Sequence, residues 1–293
     1  MLGLALGGGG ARGFAHVGVI MALQQEGVRP DIVAGTSMGA MVGAMLAVDQ
    51  DIPRLAQVLK RLDLHEIFGL SESYRRMLES TIGGAVWEQI TRASWRQQCA
   101  PRLMRLYQFL NLLCKGASFD ELSLPLACIA ADVDTGEEVV IQSGPLYRGV
   151  AASAALPGVF QPAPWNGRHL IDGGVINKLP ADVALSLGAD TVLAVDVSAP
   201  LVARPEGTLD VILQSYTITA KELMREKLNL ARTTLGQRLI VVRPQVEEIG
   251  ILEFHRVEEA VDAGLAAGKE AARRLRALQE RPHSTVNEGE NRS

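Results

Sequence analysis

The chain has 293 residues, of which 47% are hydrophobic and 21% are charged, a composition typical of a globular protein with one large domain or two small ones. This composition excludes intrinsically disordered, collagen-like and disulfide-stapled chains. The 29 Lys and Arg residues against 33 Asp and Glu residues give a formal net charge of -4, which excludes the global basic field of a nucleic-acid-binding protein.

The first predicted unit is a strand, a glycine-rich loop and a helix. Leu2 to Leu6 is a short apolar run that stops at Gly7, which is typical of a buried strand. From Phe14 to Gln25 the apolar residues recur at helical spacing. The glycines between the two runs therefore connect a strand to a helix.

The next unit repeats this pattern. Asp31 to Ala34 predicts a strand, Gly35 to Gly39 a turn, and Met38 to Val48 a helix of small and apolar residues. The stretch 32–48 has 17 residues without a charge, but its glycines and hydroxyl side chains favour a buried strand and helix over a membrane span. The chain therefore begins as β-α-β-α.

The segment from Glu72 to Lys115 differs from its surroundings. It carries two of the three tryptophans, Trp87 and Trp95, and has seven basic residues against three acidic ones. Its apolar residues have helical spacing at Leu103, Leu106, Tyr107 and Leu110. Two interpretations stay open: an amphipathic helical pair that packs on the sheet, or a cap that contacts an anionic lipid surface.

The second half of the chain predicts further strands and helices. Strands are expected at Leu126–Asp132, Glu138–Gln142, His169–Ile171, Thr191–Val195 and Arg238–Val242. Helices are expected at Ala181–Leu187, Leu209–Thr234 and Leu252–Leu278. One local hairpin is expected at the Asp134-Thr135-Gly136 turn. Because helical or irregular segments separate most strands, we predict an α/β fold with a mainly parallel sheet covered on both faces. The polar residues 281–293 are expected to be a disordered tail.

The cysteines and the N-terminal residues predict a reducing compartment. Cys99, Cys114 and Cys128 are odd in number, lack metal-type spacing and lie among apolar residues, so we expect small core side chains. Met1 to Leu6 has neither the basic region nor the long apolar region of a secretory signal. We therefore expect a cytoplasmic protein.

The motif Gly35-Thr36-Ser37-Met38-Gly39 is a G-x-S-x-G at the point where an apolar strand ends and an apolar helix begins. A serine on so sharp a turn has strained backbone angles, and the flanking glycines remove side chains that would clash. Its Oγ then stands clear above the sheet edge, where the helix dipole favours an adjacent oxyanion. This context favours a nucleophilic Ser37 over a serine that only caps the helix.

The glycine run from Gly7 to Gly10 permits two interpretations. Gly8, Gly10 and Gly13 satisfy G-x-G-x-x-G, the fingerprint of dinucleotide sites, but Asp31 lies at the start of the next strand and cannot hold a ribose at its end. Alternatively, consecutive N–H groups form an anion nest that suits the oxyanion of acyl transfer. Arg12 is expected to fix this loop by hydrogen bonding carbonyl groups, to add positive potential, or to remain a surface charge.

A nucleophilic serine needs a base, and the histidines fit this role poorly. None lies on an evident strand-end loop, although chain order alone does not exclude His255; the five are His16, His65, His169, His255 and His283. Asp172 lies near a strand end and is followed by Gly173-Gly174, which would let the chain turn and expose it. Asp172 is therefore our candidate base. This role requires a desolvated pocket that raises its pKa above the usual value of about 3.9. The alternative role of Asp172 is an Asx turn. Asp132 and Asp196 are expected to be turn or cap residues.

These motifs together resemble those of the patatin-like phospholipases, and within that family the short bacterial members and NTE-related esterases. Gly8-Gly9-Gly10-Ala11-Arg12-Gly13 is similar to the oxyanion loop of the family, Gly35–Gly39 to its nucleophile elbow, and Asp172-Gly173-Gly174 to its catalytic Asp-Gly-Gly. The segment Ala152–Phe160 resembles the one before that aspartate. The resemblance extends from Leu2 to Asp196, with Glu72–Lys115 in the most variable part.

The resemblance implies a three-layer α/β/α fold with one catalytic domain over 1–280. It implies hydrolysis of lipid esters through a Ser37–Asp172 dyad and an acyl-enzyme, without a metal or an organic cofactor. It also implies that the N–H groups of Gly8, Gly9 and Gly10 hold the oxyanion. The positions that would support these motifs are Arg12, Gly13, Gly35, Gly39, Gly173 and Gly174.

Other functions stay open at this point. The chain is alternatively a dinucleotide-binding protein that uses its glycine loop, or a catalytically silent member of the family that acts through protein contacts. The expected partners are a lipid or lysolipid ester and, through 72–115, the inner face of a membrane, without nucleic acid. The sequence does not specify the headgroup, the acyl chain or the oligomeric state.

Overall fold

The computed structural model describes residues 1–61, 94–198, 200–201 and 208–280. The strands are β1 Leu2–Leu6, β2 Ile32–Thr36, β3 Leu126–Asp132, β4 Glu138–Ile141, β5 Ala163–Trp165, β6 Arg168–Asp172, β7 Thr191–Val195 and β8 Leu239–Val242. The helices are α1 Ala15–Gln25, α2 Met38–Ala47, α3 Ile52–Leu59, α4 Ser94–Leu113, α5 Leu146–Ser153, α6 Ala181–Ser186, α7 Thr208–Leu235 and α8 Val257–Gln279. Two short 3-10 turns matter for the site, Gly10–Phe14 and Gly173–Val175.

The described strands form one mixed sheet. The hydrogen-bonded neighbours follow the path β5-β6-β3-β2-β1-β7-β8, with β4 paired to β3 off this path. β2 and β6 pair with successive parts of β3, residues 126–129 and 130–132. The pairs among β3, β2, β1, β7 and β8 are parallel, whereas β4, β5 and β6 pair antiparallel. The mainly parallel sheet predicted from the sequence is therefore confirmed.

The strands alternate between two apolar cores. In β1, Leu4 and Leu6 point into one core, while Ala5 points into the other. The first core is covered by α1, α2, α3, α4, α5 and α8, and the second by α6 and α7. The sheet thus lies between two helical layers, which confirms the three-layer fold.

The sheet contains one strand, β5, that the sequence did not predict. β5 joins β6 in a second hairpin, so the expectation of a single local hairpin is wrong. Its turn is Asn166-Gly167, with both residues at positive φ, the geometry of a two-residue hairpin turn. β5 is short, contains Pro164 and lies at an edge of the sheet, where a missing N–H leaves no ladder bond broken.

α1 and α8 pack closely through glycines. A Cβ on Gly18 would collide with the Val261 carbonyl oxygen, and one on Gly264 with the Ala15 carbonyl oxygen. Because neither position carries a side chain, the two helix backbones approach one another directly. This contact supports the helix that follows the glycine-rich loop.

The structure describes the second half, residues 94–115, of the basic segment Glu72–Lys115. In α4, Leu103, Leu106 and Leu110 are buried in the first core, as the packed interpretation of this stretch predicts. The predicted positions 72–93 and the predicted tail 281–293 lie outside the described residues.

Cys114 and Cys128 are buried and unpaired, as expected for small core side chains. Within the described ranges, no helix is both long and apolar enough to cross a membrane.

Candidate active site

The ends of β2 and β6 meet along one edge of β3. Thr36 at the end of β2 pairs with Ile129, and Asp172 at the end of β6 pairs with Ala130. Both strands use the same edge, because β4 also pairs with these two β3 residues and must take the opposite edge. Since β2 is parallel and β6 antiparallel to β3, their ends point toward each other. Ser37, which follows β2, is thereby placed beside Asp172.

Ser37 occupies a strained turn between β2 and α2. Its backbone angles are φ 56° and ψ -120°, a region that non-glycine residues rarely adopt. A Cβ on Gly35 would lie 2.6 Å from the Gly39 carbonyl oxygen, and one on Gly39 would collide with the Leu6 carbonyl oxygen. The Ser37 N–H donates to the Oγ of buried Ser153 at 2.9 Å. Both glycines and Ser153 therefore hold the conformation that exposes the Ser37 Oγ.

Ser37 and Asp172 are hydrogen-bonded to each other. The Ser37 Oγ donates to Asp172 Oδ2 at 2.6 Å, and the Gly174 N–H donates to Asp172 Oδ1 at 2.7 Å. Asp172 is only 4% exposed, and burial raises its pKa to about 6, against the hydrogen bonds and the charge of Lys178 that lower it. At neutral pH the carboxylate is ionised and is a stronger proton acceptor than a surface aspartate. Asp172 also forms the Asx turn predicted as its alternative role.

The glycine-rich loop lies against Ser37, but one predicted donor is already in use. The Gly8 N–H donates to the Lys178 carbonyl oxygen at 2.9 Å, which corrects the prediction that this N–H serves the oxyanion. The N–H groups of Gly9 and Gly10 have no acceptor in the described part of the chain. Met38 begins α2 and likewise has a free N–H, since the first N–H groups of a helix lack intrahelical acceptors. Gly9, Gly10 and Met38 are thus the available donors.

Arg12 stabilises the glycine-rich loop through hydrogen bonds to later parts of the chain. It is 6% exposed, and it donates to the carbonyl oxygens of Val197 at 3.1 Å and Ile249 at 2.9 Å. Of the three roles considered from the sequence, the bonding of carbonyl groups is confirmed. A Cβ on Gly10 or Gly13 would collide with Ile251 or Met38, respectively, so both glycines are required for close packing around the loop.

The described histidines do not contact Ser37. His16 is fully buried, and its Nε2 bonds the Gly7 carbonyl oxygen at 2.7 Å. Burial lowers the pKa of His16 to about 4, so it is neutral and supports the loop instead of acting as a base. His169 pairs with Asp134 at the surface, and His255 is exposed. His65 and His283 lie outside the described residues.

The turn after Asp172 needs its glycines. A Cβ on Gly173 would collide with the Ile129 carbonyl oxygen, and one on Gly174 would lie 3.0 Å from Asp172 Oδ1.

The other two aspartates near strand ends, Asp132 and Asp196, are turn residues, as expected. Asp132 accepts from Arg168 and Asp196 from Arg243, and each also accepts an N–H from its own turn. Among the described side chains, no group of three or more His, Cys, Asp or Glu residues is placed to hold a metal ion.

An apolar cavity of about 50 Å³ opens beside Ser37. Its walls come from α2, from the loop after α5 and from the loop before α8, and include Met41, Leu156, Phe160 and Leu252. Neither this cavity nor the roles of Ser153 and Met38 were predicted. For Ser153, the resemblance of the segment 152–160 to its family counterpart was the only available signal.

The sequence matches a protein family and several curated proteins. The family profile described as patatin-like phospholipase matches residues 4–185, a range that includes Ser37 and Asp172. Patatin-like phospholipase domain-containing protein ZK370.4 of Caenorhabditis elegans is 32% identical over 94% of this chain and 21% of its own length. Lysophospholipase NTE1 of Pyricularia oryzae is 29% identical over 94% of this chain and 18% of its own. Human patatin-like phospholipase domain-containing protein 6 is 28% identical over 92% of this chain and 20% of its own length. The chain therefore spans about a fifth of the length of these curated relatives.

Two solved structures are similar at low identity. VipD from Legionella pneumophila has a TM-score of 0.45 and 15% identity, with 93% of this chain and 66% of VipD covered. The type III effector ExoU of Pseudomonas aeruginosa has a TM-score of 0.44 and 16% identity, with 92% of this chain and 52% of ExoU covered.

Proposed function

We propose, because this chain belongs to the patatin-like phospholipase family, that it is a serine hydrolase that cleaves the carboxylic ester bonds of lipids. The observation that carries this proposal is the hydrogen bond of 2.6 Å between Ser37 Oγ and the buried Asp172 carboxylate. A strained serine beside a carboxylate of raised pKa is suited to nucleophilic attack, since the acceptor for its proton is already in place. The first listed relatives are named phospholipases and lysophospholipases, which supports a lipid ester as substrate.

In the proposed reaction, Ser37 Oγ attacks the ester carbonyl carbon while its proton passes to Asp172. The oxyanion accepts hydrogen bonds from the N–H groups of Gly9, Gly10 and Met38. The tetrahedral intermediate collapses with cleavage of the bond to the alcohol, which leaves with the proton from Asp172. A water molecule then gives its proton to Asp172 and attacks the acyl-enzyme, which releases the fatty acid and returns the proton to Ser37.

The acyl chain would occupy the cavity beside Ser37. Its lining is apolar, with Met41, Leu156 and Phe160 among the residues, and it opens next to Gly10 of the glycine-rich loop. Burying methylene groups there stabilises the complex by about 0.8 kcal/mol each. This arrangement supports an aliphatic acyl group over a charged or sugar-derived one.

We further propose that the protein is cytoplasmic and contacts a membrane only at its surface. The support lies in the basic segment 72–115, with Trp87 and Trp95, and in the exposed Met104 and Leu112 of α4. Co-sedimentation with anionic vesicles should weaken as salt rises, because such a contact is partly electrostatic. Binding that depends on neither anionic lipid nor salt would contradict this surface contact.

Labelling with a fluorophosphonate serine probe tests the dyad. We expect one labelled peptide that contains Ser37, with labelling abolished by Ser37→Ala and reduced about a thousandfold or more by Asp172→Asn, since the base would be lost. The control variants Ser123→Ala and Asp120→Asn remove comparable groups from the exposed surface and should label normally. Hydrolysis of a lysophospholipid should follow the same pattern.

The opposite result would favour the silent alternative. If the folded native chain is not labelled and cleaves no lipid ester, the motifs are present without turnover, and the protein acts through contacts with other proteins. Labelling that persists in Asp172→Asn would instead place the base elsewhere.

A further inference from the structure

The Ser37 turn and the Asp172 turn are joined through the backbone of Asn177. Its N–H donates to the Gly173 carbonyl oxygen at 2.8 Å, which closes the turn that follows Asp172. Its carbonyl oxygen accepts the hydroxyl proton of buried Thr36 at 2.8 Å. Asn177 therefore bonds both to the residue before Ser37 and to the residue after Asp172, and its position sets the spacing between the two turns.

The glycine-rich loop is held by the next residue along the chain. Lys178 accepts the Gly8 N–H with its carbonyl oxygen at 2.9 Å. The N–H groups of Gly9 and Gly10, which are available for an oxyanion, follow directly in the sequence. All three parts of the candidate site therefore meet at the dipeptide formed by Asn177 and Lys178.

The Asn177 side chain fixes this dipeptide to three other elements of the fold. It is fully buried, and its Nδ2 donates to Glu138 Oε1 of β4 and to Asp182 Oδ1 of α6, at 2.8 Å each. The same two carboxylates accept from the Lys227 Nζ of α7, at 2.6 Å and 2.9 Å, respectively. We call these four side chains the ionic cluster. It joins β4, α6 and α7 to the point where the parts of the site meet.

The cluster fixes the orientation of the Asn177 amide. The Oδ1 has no hydrogen-bond partner in the described part of the chain, although a buried oxygen without a donor costs free energy. The reverse orientation would direct this oxygen at two carboxylates, which is worse. The two like charges of Glu138 and Asp182 are in turn held together only while Asn177 and Lys227 donate to both.

We propose that Asn177 is a positioning residue that sets Ser37, Asp172 and the oxyanion donors relative to one another, and that Lys227 holds it in place from α7. A displacement of about 1 Å between reacting groups costs about a hundredfold in rate, so a side chain that fixes three parts of a site has a large effect on kcat without contacting the substrate. The assignment rests on the proposed ester hydrolysis and adds the residues that maintain its geometry.

Variants of the ionic cluster test this role with p-nitrophenyl butyrate as substrate. Asn177→Leu keeps the main-chain N–H and carbonyl groups and a similar volume but removes both side-chain donors. We expect kcat to fall about a hundredfold in Asn177→Leu and about tenfold in Lys227→Met, with KM changed less than about threefold in each. Lys227→Arg should restore most of kcat, since a guanidinium group can donate to both carboxylates.

The time course of labelling with the fluorophosphonate probe separates positioning from folding. A misplaced dyad should label more slowly, by about the same factor as kcat, but every molecule should be labelled at the end. A folding defect would instead leave a fraction unlabelled. If Asn177→Leu does not fold, Lys227→Met and Thr36→Val decide the question; Thr36→Val removes only the hydroxyl that bonds Asn177 and should slow labelling about tenfold.

Two control variants match these changes elsewhere in the chain. Arg225→Met removes an exposed ion pair with Glu222 from the same helix, and both kcat and the labelling rate should be unchanged. Leu239→Ala removes buried apolar contacts at the start of β8, at the opposite end of the sheet from Ser37. It should lower the free energy of unfolding while the labelling rate stays native.

A pH profile separates positioning from a charge effect. Burial raises the pKa of Asp172 to about 6, and the groups that lower this pKa lie in the site and at Lys178, outside the ionic cluster. The acid limb of kcat in Lys227→Met should therefore stay at the native pH while the plateau falls. A shifted limb with a native plateau would mean that Lys227 acts through its charge, which would overturn the assignment.

The remaining outcomes distinguish this assignment from the proposed hydrolysis. If Asn177→Leu and Lys227→Met label at the native rate, or lose only the fraction that is labelled, the positioning role is wrong while ester hydrolysis at Ser37 stands. If the native protein is not labelled and cleaves no ester, the hydrolysis itself is wrong and the positioning role falls with it.

Discussion

As the proposed base, Asp172 would need burial to raise its proton affinity and ionisation to accept a proton. Burial raises its pKa to about 6, so activity that depends on its charged form should fall below that pH. We expect kcat/KM for a neutral ester to drop about tenfold for each pH unit below 6 and to be flat between about 7 and 8. A pH-rate profile checks this, and an acid limb near the pKa of a surface aspartate, about 4, would show that the base is not buried in the working enzyme.

If Ser37 is the nucleophile, we expect Ser153 to affect catalysis without contacting the reacting atoms. Its Oγ accepts the Ser37 N–H at 2.9 Å, and Ser153→Ala would leave this N–H without a partner in a strained turn. We expect kcat to fall about tenfold with KM nearly unchanged, and the free energy of unfolding to fall by about 1 to 3 kcal/mol. Steady-state kinetics and denaturant unfolding measure both. Ser186→Ala, which removes a helical serine bonded to the Val183 carbonyl, is the matched control and should leave kcat unchanged.

The residues that carry local backbone constraints could be predicted from the sequence, and those that act through long-range contacts could not. Ser37 and Asp172 stand next to glycines whose sterics demand a tight turn, and these glycines are visible in the sequence. The use of the Gly8 N–H depends on Lys178, which is 170 positions later in the chain. No local sequence pattern indicates such a partner, so the sequence could not show that the Gly8 N–H is already bonded.

At the scale of elements, the strands of the parallel core were predicted closely because they are buried on both faces and read as apolar runs. β5 was missed because it has three residues and contains a proline, although Asn166-Gly167 was an available hairpin signal. The sequence also does not predict that the ends of β2 and β6 meet on one edge of β3. It depends on strand order, which hydrophobic periodicity does not specify.

The contact between α1 and α8 depends on the absence of side chains at its centre. A Cβ on Gly264 would collide with the Ala15 carbonyl oxygen, and both groups belong to rigid helices. Gly264→Ala should therefore lower the free energy of unfolding by at least about 1 to 3 kcal/mol, despite the better helix propensity of alanine. Chemical denaturation measures the change. Ala266→Ser on the exposed side of the same helix adds one atom in open space and should change stability by less than about 0.5 kcal/mol.

For the whole molecule, the buried Asp172 charge costs stability. Its pKa is higher in the folded chain than the ordinary value of 3.8, so its contribution is favourable below about pH 4 and is lost as pH rises through 6. Asp172→Asn keeps the shape without the charge and should be more stable than the native protein above pH 6, by up to about 3 kcal/mol. Denaturant unfolding at pH 4 and pH 8 tests this sign. A difference that is the same at both pH values, or one that also occurs in Asp120→Asn, would contradict the attribution to the buried charge.

The hydrogen bonds of Arg12 have a consequence for how this unit can be moved between proteins. The family profile ends at residue 185, yet Arg12 binds carbonyl groups of Val197 and Ile249, and β7 pairs with β1 in the middle of the sheet. A recombination joint placed just after the profile would therefore cut through the support of the glycine-rich loop and expose an edge of β1. Exchange of this unit between genes preserves the candidate site only if the transferred piece extends through α8, the helix that packs on α1.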